Sequence, residues 1–131
     1  MRTCHVYIGD KQEKEAMPGI VEKIEKEFGK PANPAAIALY VISNHIGTNA
    51  SLAFWKDVIN NGPAFANPEL FPWTLANSAC AYIARHFGIT GPNYTYTFPP
   101  ENQACMNEVL QQAGEDLRKL ELENCWIIIV H

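Results

Sequence analysis

The chain has 131 residues, 47% hydrophobic and 18% charged, which suits one globular domain and leaves little room for a second. A net charge of −4 offers no basic face, so nucleic acid and acidic lipid surfaces are unsuitable partners. No apolar run reaches a membrane span of roughly 18 residues, and Asp10 and Lys11 interrupt the start before a signal-peptide core could form, so a soluble, cytoplasmic protein is expected.

Residues 3–8 (TCHVYI) are β-branched and aromatic and end at Gly9-Asp10, which predicts a strand. Over residues 13–28, Met17, Ile20, Val21, Ile24 and Phe28 recur at steps of three and four among Glu and Lys. That spacing predicts an amphipathic helix with a solvated charged face, stopped by Gly29 and Pro31, with Pro18 in its first turn. Residues 35–44 (AAIALYVISN) are too continuously apolar for a half-solvated hairpin and predict a parallel strand covered on both faces.

After His45-Ile46-Gly47-Thr48, a helix is expected at about residues 50–61, ended by Gly62-Pro63. A loop rich in Pro and Asn leads through Phe71-Pro72-Trp73-Thr74 to a second apolar helix that runs to Phe87 and stops at Gly88. Gly91-Pro92 turns the chain into a strand at 93–98 (NYTYTF), followed by a helix at about 100–120 and a last strand at 125–131 (CWIIIVH). The order β-α-β-α-α-β-α-β predicts a three-layer α/β/α arrangement with a mostly parallel sheet of four to five strands and right-handed crossovers.

From Ile46 onward the segments fall in a recognisable order: Gly47-Thr48, then Pro68-Glu69-Leu70-Phe71-Pro72, then Asn77 leading a helix with Ala79, Ala81, Ile83 and Ala84, then Gly88-Ile89-Thr90-Gly91-Pro92 before a strand. In this the chain resembles the β-ketoacyl synthases of the thiolase-like superfamily, over roughly residues 35–131. The resemblance implies the N-terminal half of a thiolase-like fold, a layered unit that in the full enzyme pairs with a second half of the same topology. That second half, which carries the family's two histidines (or His and Asn) and its lysine, has no counterpart here.

The resemblance also assigns the family's nucleophilic cysteine to a position nine residues after the Gly of Gly-Pro, at the strand-to-helix elbow. Counting from Gly91 reaches Pro100, which cannot attack a thioester. The helix after it is also about one turn longer than the family's, and the last strand ends in Val130-His131 where the family has a Gly-Gly pair. Read as the first helical residue, Pro100 would keep the elbow's shape while its reactive group is lost.

Other chemistry-bearing residues are sparse. Cys4, Cys80, Cys105 and Cys125 include no CxxC pair, which points away from a zinc knuckle or thioredoxin-type site and towards reduced, mostly buried thiols. Cys105, the thiol nearest the elbow, would lie roughly 140° round the helix from Pro100, so a buried structural role is expected over that of a displaced nucleophile. His45 follows the C-terminus of a strand, the edge where open α/β sheets place ligands, which makes it the best placed of four histidines. His5 is expected within a strand, His86 at a helix end and His131 loosely held; no two have metal-ligand spacing, and no metal or cofactor is implied.

Phe54, Trp55, Phe65, Phe71, Trp73 and Phe87 could line an acyl pocket with Asn77, although aromatics at such positions are more often core. In residues 93–98, Tyr94 and Tyr96 share one face and Thr95 and Thr97 the other. The resemblance places this strand beside the family's dimer axis, so an unpaired edge here implies a homodimer or a heterodimer with a full-length ketosynthase.

Three functions follow: an inert ketosynthase-like half domain acting by association in fatty-acid or polyketide-type biosynthesis, an acyl-chain or acyl-carrier binding protein, or an acyltransferase or thioester hydrolase using Cys105.

Overall fold

The two most apolar runs of the sequence become the two central strands. The computed structural model describes residues 1–131. Strands β1 (Arg2–Val6), β2 (Ile37–Ile42), β3 (Asn93–Tyr96) and β4 (Asn124–Val130) form one all-parallel sheet in the order β1-β4-β2-β3. All six residues of β2 are buried, as are Cys125 to Val130 of β4, as expected of parallel strands covered on both faces. Tyr40 of β2 lies opposite Ile127 of β4 and Tyr94 of β3, and this register fixes which side chains share a face.

Helices α1 (Glu13–Phe28), α2 (Thr48–Asn61), α3 (Ser78–Phe87) and α4 (Gln103–Lys119) connect the strands. On one face, α1 and α3 pack Met17, Ile24 and Ile83 against Val6, Leu39, Val41, Trp126 and Ile128. On the other, α4 packs Met106, Val109 and Ala113 against Ala38, Tyr40, Ile42, Ile127 and Ile129. The three layers follow from strand periodicity of two meeting helix periodicity of 3.6, with each fully buried large side chain contributing roughly 1.5–3 kcal/mol. No helix is long and apolar enough to cross a membrane.

Local differences from the sequence reading have identifiable causes. Pro18 lies in the second turn of α1, because the helix already begins at Glu13, whose side chain is held in the interior. Pro18 is exposed and removes one intrahelical N–H donor, while Met17, Ile20 and Val21 keep the helix on the sheet. The strand expected at 93–98 ends at Tyr96. The helix expected from about residue 100 starts at Gln103, since the amide oxygen of Asn102 caps it by accepting the Cys105 N–H at 3.2 Å.

Two glycines of the family-like motifs have steric reasons to be glycine. A Cβ on Gly91 would meet the Ile37 carbonyl oxygen at 2.1 Å, so the turn into β3 can pass β2 only without a side chain. Gly47 has φ +87°, and a Cβ there would lie 2.7 Å from the Thr74 carbonyl oxygen. The β2–α2 turn is thereby pressed against the turn at Phe71–Thr74.

Candidate functional site

All four strands point the same way, so their carboxyl ends gather at one edge: Ser43 after β2, Thr97 after β3 and His131 after β4. The Ser43 amide donates to the Tyr96 carbonyl at 3.0 Å, which places the His45 loop beside the elbow after β3. The elbow is a tight turn in which the Asn102 amide donates to the Pro99 carbonyl at 2.9 Å. Pro100 therefore occupies the second position of a turn, where its fixed φ is suited, and not the first position of α4. A proline turn followed by an asparagine cap, and not a proline at the first helical position, shapes this elbow.

Cys105 lies at the third helical position of α4 and is half-buried, not a buried structural residue as expected. Because α4 starts after the elbow, its angle from Pro100 is not that of one continuous helix. The other three thiols are buried. Burial pushes Cys4 and Cys80 up to about 11 and raises Cys125 as well. Cys80 bonds weakly to Asn93 Oδ1 and the Tyr94 carbonyl at 3.7 and 3.8 Å, and Cys125 to the Ala113 carbonyl at 3.4 Å. A thiol raised above its ordinary value is a poorer source of thiolate at neutral pH, so these three suit packing better than nucleophilic attack.

His45 is exposed; its own amide donates to Ser43 Oγ at 3.1 Å, and its carbonyl accepts from Thr48 at the start of α2. His86 lies in the last turn of α3, as expected. His131 is not loosely held: its amide and carbonyl bond to Val6 and Ile8, and its Nε2 lies 2.8 Å from Nδ1 of His5 on the neighbouring strand. No cluster of three or more His, Cys, Asp or Glu is arranged to hold a metal ion.

The amino end of α2, which in a fold of this type could receive an anionic ligand, is filled from within. Glu13 of α1, 2% exposed, accepts from Gly47 at 2.9 Å and Asn49 at 3.3 Å on Oε1 and from Ala50 at 3.0 Å on Oε2. One buried carboxylate thus satisfies three helix-start amides that would otherwise lack partners.

A second buried acid ties α4 to the sheet. The Tyr40 hydroxyl donates to Asp116 Oδ2, and Gln112 Nε2 donates to Asp116 Oδ1 at 2.8 Å. Burial, then the hydrogen bond to Asp116, raise Tyr40 far above an ordinary phenol; Tyr94 and Tyr96, with rings 5.2 and 6.5 Å from that of Tyr40, are raised too. These phenols stay protonated at neutral pH and act as struts between β2, β3 and α4.

The six aromatics proposed for an acyl pocket do not converge. Phe87 packs on Trp126 in the core, and Trp73 packs on Tyr82 of α3. Phe65 is 81% exposed, and Asn77 is exposed at the start of α3 without capping it. Only Phe54, Trp55 and Phe71 come together, lining with Ser51 and Thr74 a groove of about 240 Å³. That is below the roughly 300–1,000 Å³ of ordinary ligand pockets.

The groove belongs to an arm formed by α2 and residues 62–77. Its helix makes its main contacts with the turns at Pro63–Phe65 and Phe71–Thr74 and with α1, rather than with a strand, and only Ala50 of α2 is buried. Leu52, Trp55 and Ile59 form an exposed stripe on it that the pocket reading missed. Their spacing of three and four was the available signal, masked by the apolar residues on the helix's other side.

β3 is an edge strand, as the sequence suggested, but of four residues. The Leu39 amide donates to the Pro92 carbonyl and the Ser43 amide to that of Tyr96. In a parallel ladder this alternation turns the backbone groups of Asn93, Thr95 and Thr97 outward. Comparison of the chain with known protein families and with curated proteins returned no match.

Proposed function

We propose that the chain is a catalytically inert β-ketoacyl-synthase-like half domain that acts by association, as an accessory protein in fatty-acid or polyketide-type biosynthesis. The observation that carries this reading is edge strand β3, with Asn93, Thr95 and Thr97 turned outward beside an elbow whose Pro99-Pro100 turn offers no nucleophile. An unpaired edge is a template for another strand, and a second copy of the chain or a full-length ketosynthase supplies one.

Thr95→Pro tests this, since it removes an outward donor and leaves the ladder to β2 in place. The expected result is loss of edge-mediated pairing, read by sedimentation of the chain alone and by co-purification with a ketosynthase. Unchanged association in both assays removes β3 from the account.

A second reading, binding of an acyl chain or acyl carrier, draws support from the Phe54–Trp55–Phe71 groove. Its small volume makes it the weaker of the two.

A further inference from the structure

We propose that the arm is a second association surface, a self-complementary face through which two copies of this chain contact each other independently of β3. Of the large hydrophobic side chains left exposed, Leu52, Trp55, Ile59, Phe65, Phe71 and Leu75 all fall within the arm. Leu52, Trp55 and Ile59 lie along one side of α2, and Trp55 shares the groove with Phe71. Their combined exposed area is on the order of the 800 Å² that each partner of a standard-size interface buries. A soluble chain rarely leaves so much apolar surface uncovered.

Three features commit the face to a second copy. Residues 48–77 hold only three charged side chains, Lys56, Asp57 and Glu69. Asp57 is occupied within the arm by Asn61 and the Asn67 amide, and Glu69 faces Lys14 of α1 at 3.8 Å. Lys56, exposed beside Trp55, is then the one charge of the arm without a polar partner, and such charge depletion around an apolar centre marks homodimer interfaces. Finally, the other exposed large hydrophobics (Met1, Tyr7, Leu110 and Leu120) are spread over β1, α4 and the adjoining ends, so no second apolar patch can receive the arm. Between copies of this chain, the arm can therefore meet only another arm, in a two-fold contact with Trp55 near its centre. The groove, smaller than ordinary ligand pockets, then serves as the socket for an aromatic ring of the other copy.

The test is sedimentation of the full chain across tens of micromolar, comparing wild type, Trp55→Glu with Ile59→Lys, and Thr95→Pro. Trp55 and Ile59 are exposed, so circular dichroism, and the thermal midpoint at dilutions where the chain is monomeric, should stay unchanged by the arm substitutions. The expected result is association in the wild type that the arm substitutions weaken about 100-fold and that Thr95→Pro lowers by the share of β3 without abolishing it. Trp55 fluorescence, isolated in a Trp73→Phe, Trp126→Phe background that retains wild-type circular dichroism, should shift to the blue with the same concentration dependence. Association unaffected by the arm substitutions, or abolished by Thr95→Pro alone, overturns the proposal. A wild-type chain that remains monomeric also overturns it and assigns the arm to a different protein.

Discussion

Two tryptophans summarise two regions of this molecule. Trp126, at the middle of the sheet, is 2% exposed and wedged between Phe28 and Phe87, each with its ring centroid 5.1 Å away. Trp55, on the arm, is 62% exposed in α2, a helix of which only Ala50 is buried. The core uses its hydrophobic residues to close on itself, whereas the arm keeps its own available. The difference teaches that hydrophobicity in the sequence serves folding in one region and, under the self-association proposed above, contact in the other.

The largest expected effect lies in the core. Trp126→Ala should cost about 3–5 kcal/mol in urea unfolding, as both aromatic neighbours lose their partner and a cavity remains. A cost near zero would mean that the core is not packed as described. At the junction, Glu13→Ala should cost about 2 kcal/mol, because the amides of Gly47, Asn49 and Ala50 lose their acceptor. Amide exchange should rise chiefly in α2; uniform acceleration through β2 and β4 would show that arm and core are one cooperative unit.

Alkaline pH probes the core through its thiols. Cys4 and Cys80 are raised from 9.0 to about 11 in the folded chain, so the folded state keeps protons that the unfolded state releases. Their contribution is complete below pH 9 and is lost as pH climbs from 9 towards 11. Denaturation curves should therefore show stability falling across that window, and less steeply in Cys4→Ala, Cys80→Ala. A slope unchanged by these substitutions would remove the thiols from the explanation. The smallest effect belongs to the arm: at dilutions where the chain is monomeric, Trp55→Ala should change unfolding stability by no more than about 0.5 kcal/mol. A larger loss would mean that Trp55 supports the fold.

Much of the core was legible because one periodicity decided it. Residues 37–42 and 125–130 are continuous apolar runs, and Met17, Ile20, Val21 and Ile24 repeat at helical spacing, so strand, helix and face were all readable. The α/β class and the parallel sheet followed.

The elbow was less legible. Pro100 at a helix start and Pro100 in a turn are both comfortable, and the choice depended on the Asn102 cap two residues on. The arm was harder still. Phe54, Trp55, Phe65, Phe71, Trp73 and Phe87 are alike as letters, and only tertiary placement separates the buried Phe87 from the exposed Phe65. Glu13 illustrates the same limit, since nothing local distinguishes it from the solvated Glu15 and Glu22. Its role arises from the distant start of α2.

The central claim is that this chain works by contact and not by chemistry. Intact-mass measurement after incubation with an acyl thioester tests it most directly. The account predicts an unmodified mass, whereas a stoichiometric acyl adduct that disappears in Cys105→Ser would contradict it and make the half-buried thiol of α4 a nucleophile.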